Sequence, residues 1–377
     1  MRLALVHYAA PPIIGGVERV IEQQALILAK RGHQVVVFCG NEGATLVDSS
    51  IPVRVHSCLK AGAAATAGQL TADFAILEQE LTSFDVAIIH NMLTMPFSAA
   101  AALALAEASR RLTGTRFINW VHDFDISRET FLSLDATVQH IAVSTVRQKG
   151  FCERMNLTSD QCPVIPNGVD VSATLGLTPD VAAWAERYDV WQHEWVLLHP
   201  TRILARKNLE LGLAVVAVLR AQGKDVLYVV TGAPDPHRKE SAAYATRIQS
   251  LILEWDLQET VRFVSESFPV TSKDVASLYR LADALFFPSK SEGFGLPLVE
   301  ATLHRLPLFC SDIPPHREVA REMAEFFDLE ADPEVIARQL RHHLENDAEL
   351  STRKRVMRRY SWDHIYKEYL EPLIKER

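Results

Sequence analysis

Short, wholly apolar runs alternate with longer stretches of helical period along almost the entire chain. Leu3-Ala4-Leu5-Val6 leads into a loop with Pro11, Pro12, Gly15 and Gly16, a helical pattern from Val17 to Lys30 that stops at Gly32, and then Val35-Val36-Val37-Phe38. That order predicts strand, loop, helix, strand. Val86-Ala87-Ile88-Ile89, Phe117-Ile118-Asn119-Trp120-Val121 and Ile141-Ala142-Val143 continue the series, separated by helical patterns such as the alanine-rich 97–111. Strands apolar on both faces belong in a parallel sheet covered by helices on both sides. Pro163 to Asp170 breaks the series with two prolines and an Asn167-Gly168 turn. The alternation then restarts at Trp195–Leu198, Val226–Val230, Val261–Val264, Ala284–Phe287 and Leu308–Cys310. The expectation is an α/β chain of two doubly wound domains, 1–170 and 171–360, facing across a deep cleft at the carboxyl ends of their sheets, where open α/β sheets bind ligands. The closing segment 361–377 reads as a capped amphipathic helix that turns Trp362, Ile365, Tyr369 and Leu370 toward a core.

Composition narrows the function more than the fold. The chain has 377 residues, 48% hydrophobic and 23% charged, enough for two ordinary cores. Its net charge of −8 argues against nucleic-acid binding by bulk electrostatics. The start, Met1 to Tyr8, is too short an apolar run for a secretory signal, and the apolar stretch 97–106 falls short of the roughly 20 residues of a membrane span. Five cysteines without a C-x-x-C pair suit a reducing compartment. A cytoplasmic protein is expected. The basic run Arg353, Lys354, Arg355, Arg358 and Arg359 reads as a solvated helix face in preference to a membrane contact.

Four places carry candidate chemistry. Ser291-Glu292-Gly293-Phe294-Gly295-Leu296-Pro297-Leu298-Val299-Glu300-Ala301 follows a buried strand. Its glycines permit close backbone approach, and Pro297 suits a helix's first turn. Glu292 then falls on the loop and Glu300 in that first turn, so the two carboxylates can serve one ligand from two heights; the plain alternative is two surface glutamates, Glu300 merely favouring the helix dipole. Pro200 to Asn208 places Arg202 and Lys207 after another strand, a planar fork and a mobile point charge that together suit a diphosphate, or else simply surface basic residues. Gly15-Gly16 opens the first helix, where exposed N–H groups favour an anion, but it is not the G-x-G-x-x-G dinucleotide fingerprint. His122 ends a strand, and Asp123 and Asp125 beyond it have the spacing of a divalent-metal pair or of ordinary turn residues.

Taken together, these residues resemble the retaining GT-B glycosyltransferases of family 4 (glycosyltransferase group 1) over essentially the whole chain. The family's E-x7-E motif matches Glu292 and Glu300, its arginine and lysine match Arg202 and Lys207, its Gly-Gly loop matches Gly15 and Gly16, its strand-end histidine matches His122, and its I-P-N-G-V-D element matches Ile165 to Asp170. Two departures stand out: Pro-Thr-Arg replaces the commoner G-R-L, and Asn208 replaces a donor-site glycine.

The resemblance implies two Rossmann-like domains, the first for the acceptor and the second for a nucleotide sugar, with 361–377 packing back on the first. It implies that Arg202, Lys207 and Gly16 stabilise the departing phosphate without a metal or other cofactor. Glu292 would orient the sugar beside the amides of Gly293, Phe294, Gly295 and Leu296, Glu300 would hold the ribose, and His122 would contact the transferred sugar. The partners expected are a nucleoside-diphosphate hexose (UDP- or GDP-linked) and a hydroxyl acceptor met by the loops 61–68 and 91–96, a small soluble sugar or glycoside being favoured. A GT-B sugar-nucleotide epimerase and a non-catalytic nucleotide-sugar-binding protein are the alternatives. The base, sugar, linkage and oligomeric state stay open.

Overall fold

A computed structural model describes residues 1–62, 67–125, 137–233 and 239–375. The chain divides into two compact units, Met1–Asp170 with Arg359–Arg377, and Val171–Arg358.

The first unit is built on six parallel strands, β1 (Arg2–Val6), β2 (Gln34–Cys39), β3 (Val53–Val55), β4 (Val86–His90), β5 (Arg116–Val121) and β6 (Val138–Ala142), in the order β3-β2-β1-β4-β5-β6. The order reverses direction between β1 and β4, which makes the carboxyl ends of these strands the natural binding edge. Period-two alternation sends successive side chains to opposite faces. Leu3, Leu5, Val35, Val37, Ile88 and Trp120 pack on one side with Ile21, Ala25 and Leu28 of the helix Gly16–Lys30. Ala4, Val6, Phe38, Ala87, Ile89 and Phe117 pack on the other with Leu77, Leu105 and Phe151.

The chain's end joins the first of these cores. Ser361 caps the closing helix by accepting from His364 N, and Trp362, Ile365, Leu370 and Ile374 are buried, with Tyr369 half-buried against them. Trp362 donates its indole N–H to Gln23 Oε1 at 2.7 Å. A Cβ on Gly168 would lie 2.4 Å from the Trp362 ring, so the Asn-Gly element of the interdomain segment is glycine because an indole lies on it.

The second unit repeats the plan with β7 (Trp195–His199), β8 (Val226–Val230), β9 (Val261–Phe263), β10 (Ala284–Phe287), β11 (Leu308–Ser311) and β12 (Ala324–Phe327), all parallel, in the order β12-β11-β10-β7-β8-β9. Its reversal falls between β7 and β10, the two strands whose following loops carry the candidate residues. The basic run of the helix Ala348–Tyr360 is only in part the solvated face that its charge suggests: Arg355 and Arg359 are exposed, and the other three turn inward. Lys354 is buried with its Nζ 2.5 Å from Asp283 Oδ2, Arg353 lies 3.5 Å from the other oxygen, and Arg358 donates to the carbonyls of Trp191 and His193. Asp283 in turn accepts from Val196 N of β7 at 2.7 Å, so these cations tie the helix to the sheet. Burial holds the Lys354 ammonium below its ordinary pKa against the pull of Asp283. Among the described residues no helix is long and apolar enough to cross a membrane.

Candidate functional site

In the second unit the loop after β7 and the loop after β10 meet. Lys290 N donates to Arg206 O at 2.8 Å, which joins the two backbones. Lys207 Nζ lies 2.6 Å from Glu292 Oε1, and Arg206 reaches Glu292 Oε2 and the Ser291 carbonyl at 3.0 Å each. Both ends of the Lys207–Glu292 pair are buried, and the ammonium lies 5.1 Å from the centre of the Phe287 ring. Burial pushes the Glu292 carboxyl up, but the ion pairs with Lys207 and Arg206 outweigh it and hold the group below the usual carboxylate range. Burial lowers the Lys207 ammonium, with Glu292 opposing and the charges of Arg206 and Arg202 assisting. Exposed Arg202 therefore belongs to the same local field.

Asn208 shows how the departure from glycine is accommodated. It has φ 55° and ψ 49°, the left-handed conformation that asparagine tolerates better than other side-chain-bearing residues, and it opens the helix Leu209–Ala221.

Gly295 has φ 96° and caps the helix Leu296–Leu303, with Phe294 and Leu296 exposed beside it. A side chain there would be strained by the backbone and crowded by Leu298 and His316. Glu300 does not stand in the first turn as its spacing suggests. Because the helix begins at Leu296, Glu300 is its fifth residue, and its partner is the Tyr279 hydroxyl, which donates to Oε2 at 2.8 Å. The helix dipole is thus not what holds it. Glu292 and Glu300 have separate partners, one cationic and one phenolic.

In the first unit Gly15 is the extended N-cap of the helix Gly16–Lys30, and Gly16 faces open space. A Cβ on Gly15 would lie 2.0 Å from Glu18 Oε2, so the helix's amino end has this carboxylate folded against it. His122 follows β5. Asn91 Oδ1 accepts from the His122 and Asp123 amides at 2.8 and 3.0 Å, which fixes the backbone there. The His122 Nε2 lies 3.0 Å from His90 Nδ1 with the ring centres 5.3 Å apart and the planes 28° from parallel, and burial with the nearby His7 pushes the His122 pKa down to about 3. Asp123 accepts from Phe124 N and pairs with Arg147 at 3.2 Å, the behaviour of a turn residue. Among the described residues no group of three or more His, Cys, Asp or Glu is placed to hold a metal. Of the two acceptor loops, 91–96 is described, and 63–66, half of 61–68, lies outside the described residues.

Two stretches match models of known families: residues 14–173 match Glycosyltransferase Family 4, and residues 183–360 match Glycosyl transferases group 1. The chain belongs to the family 4, group 1 glycosyltransferases. Its two doubly wound units are those of the GT-B fold. The glycosyltransferase is 25% identical to mannosylglucosylglycerate synthase of Thermotoga maritima over 84% of this chain and 83% of that one. It is 26% identical to D-inositol 3-phosphate glycosyltransferase of Kineococcus radiotolerans over 83% and 78%. A crystal structure of Anabaena HepE in complex with UDP is similar over 99% of both chains, at 20% identity and a TM-score of 0.41.

Several residues around this glycosyltransferase's strand ends escape sequence reasoning. Arg206 shares Glu292 with Lys207, yet nothing in the run Ala205-Arg206-Lys207 marks it out. His199 and His316, both fully buried, flank Phe287 at 5.8 and 5.0 Å between ring centres. His7 and His90 end β1 and β4 as His122 ends β5, a signal visible once the strand ends are aligned. Gly232 after β8 would place a Cβ 2.5 Å from the Thr201 carbonyl, so it admits the loop that carries Arg202.

Proposed function

We propose that this glycosyltransferase moves a hexose from a nucleoside-diphosphate sugar to a hydroxyl acceptor with retention of configuration and without a metal. The observation that carries the reading is the Lys207–Arg206–Glu292 cluster, with Arg202 in its field, at the switch point of the second sheet. Two cations share one carboxylate there, so the cluster has surplus positive charge for the charge that grows on a departing β-phosphate. Protein cations do the work a divalent ion does in other phosphate sites, which is the basis for metal independence.

The remaining roles follow the family resemblance. The second unit holds the donor: Gly293, Phe294, Gly295 and Leu296 offer backbone amides at a helix start, Glu292 orients sugar hydroxyls through its remaining lone pairs, and Glu300, steadied by Tyr279, takes the ribose diol. Gly15 and Gly16 are by the same resemblance an anion-binding helix start, and an anion there requires the Glu18 carboxylate to leave its place beside Gly15. His122 contacts the transferred sugar. Both oxygens of Glu292 are engaged by cations, which favours front-face attack, with the leaving phosphate accepting the acceptor's proton, over a covalent intermediate on Glu292. The name of the Thermotoga maritima relative makes mannose the first hexose to offer.

Lys207→Ala tests the reading. Transfer should fall by roughly 10²–10³-fold, the cost of removing one donor aimed at developing negative charge. Near-normal turnover would remove the clamp from the mechanism. Product NMR gives the anomeric configuration, and an inverted glycoside would overturn retention.

A further inference from the structure

His7, His90 and His122 end three strands of the first unit, and the proposed function uses only His122. His90 is wholly buried, between Trp120 at 6.0 Å and His122 at 5.3 Å ring to ring. Its Nδ1 is 3.0 Å from His122 Nε2, and its buried Nε2 has no partner among the described residues. The backbone beneath it is pinned, because the His90 carbonyl accepts from His7 Nδ1 at 2.8 Å. A carbonyl can only accept, so His7 carries its proton on Nδ1 and leaves Nε2 facing Glu18 at 3.9 Å.

Two proton arrangements are open to the His90–His122 pair. Burial pushes both imidazoles well below their ordinary pKa, so each ring carries one proton. If His122 Nε2 donates, His90 must carry its own proton on Nε2, a buried N–H with no acceptor among the described residues. If His90 Nδ1 donates, its Nε2 is a bare lone pair. A buried donor without an acceptor is the rarer and costlier defect.

We propose that His90 is a positioning residue: it donates its Nδ1–H to His122 Nε2, fixes His122 as the Nδ1–H tautomer, and so makes that ring present a single hydrogen-bond donor to the sugar. The partner of a working histidine sets which ring nitrogen carries the proton. Free neutral histidine favours the proton on Nε2, so His90 reverses the intrinsic preference. The benefit to transfer rests on the assignment of His122 to the sugar; the tautomer itself does not.

Long-range ¹H–¹⁵N spectra of the ¹⁵N-labelled full chain at neutral pH read the tautomer directly, with His122→Gln used to assign the ring. The wild type should show His122 with a protonated Nδ1 and a bare Nε2. His90→Asn keeps an N–H donor near the place of Nδ1 and should keep that pattern. His90→Phe removes the donor, and His122 should revert toward the Nε2–H form while transfer drops by roughly ten- to a hundredfold, as with other lost partners of functional histidines, in kcat more than in KM. A wild-type His122 protonated on Nε2, or a tautomer unaltered in His90→Phe, would overturn the proposal. Should the Phe variant not fold, the wild-type and Asn spectra decide between the same two outcomes. A tautomer switch that leaves transfer untouched would uphold the hydrogen bond and overturn the role of His122 at the sugar, so the two failures are distinguishable.

Discussion

Lys207 and Glu292 are each too buried to be left alone. Removing either partner of a buried pair strands the other charge, which costs about 3–5 kcal/mol in typical cases, whereas removing both together costs far less. Lys207→Met should therefore destabilise the chain more than Lys207→Met with Glu292→Gln, a comparison read from urea unfolding midpoints. Equal losses would mean that the pair is better hydrated than its burial indicates. The depressed Glu292 pKa adds a pH signature. Its stabilisation is present in full above the unfolded carboxyl pKa of about 4.3 and is lost as the pH falls through the folded value, a loss absent from Glu292→Gln. The buried histidines act in a higher window. His122 and His199 are pushed down to about 3 and His140 to about 4, so the unfolded chain takes up protons near pH 6.5 that the folded chain refuses. Stability should fall steadily as pH is lowered from 7 to 5; a melting temperature flat across that range would contradict the neutral rings.

At the scale of elements, the central strands were legible because burial on both faces leaves continuous apolar runs such as Leu3–Val6 and Val226–Val230. Edge strands were read less evenly: β9 shows as the run Val261–Val264, but the other edges do not stand out. β3 has three residues, half-buried or exposed, β12 carries exposed Glu325, and β6 begins at Val138, earlier than its apolar part, because Gln139 and His140 need cover on one side only. The E-x7-E loop and the arginine–lysine segment were readable as neighbours of strands, but their union through Arg206 depends on the β7–β10 pairing of residues more than eighty positions apart. The histidine pair was hidden in the same way, its members lying on separate strands. The tail was legible through its Ser-Trp-Asp cap. Trp362→Ala should cost about 3–5 kcal/mol, as for other buried aromatics, and Gly168→Ala should fail similarly because its methyl meets the indole. Wild-type-like unfolding of both would detach the closing helix from the first unit's core.

For the whole molecule, family membership establishes a glycosyltransferase, and we propose that protein cations at one switch point hold its donor. A ligand that binds only the folded state raises the melting temperature, by about 2.7 kcal/mol of stabilisation at a hundredfold excess over Kd. The most direct test is a thermal-shift titration of the wild type and Lys207→Ala with UDP-, GDP- and ADP-hexoses in the presence of a metal chelator. The account predicts that one nucleotide series stabilises the wild type despite the chelator and that Lys207→Ala loses most of that shift. Stabilisation of both proteins to the same extent, or of the wild type only after a divalent metal is restored, would contradict it.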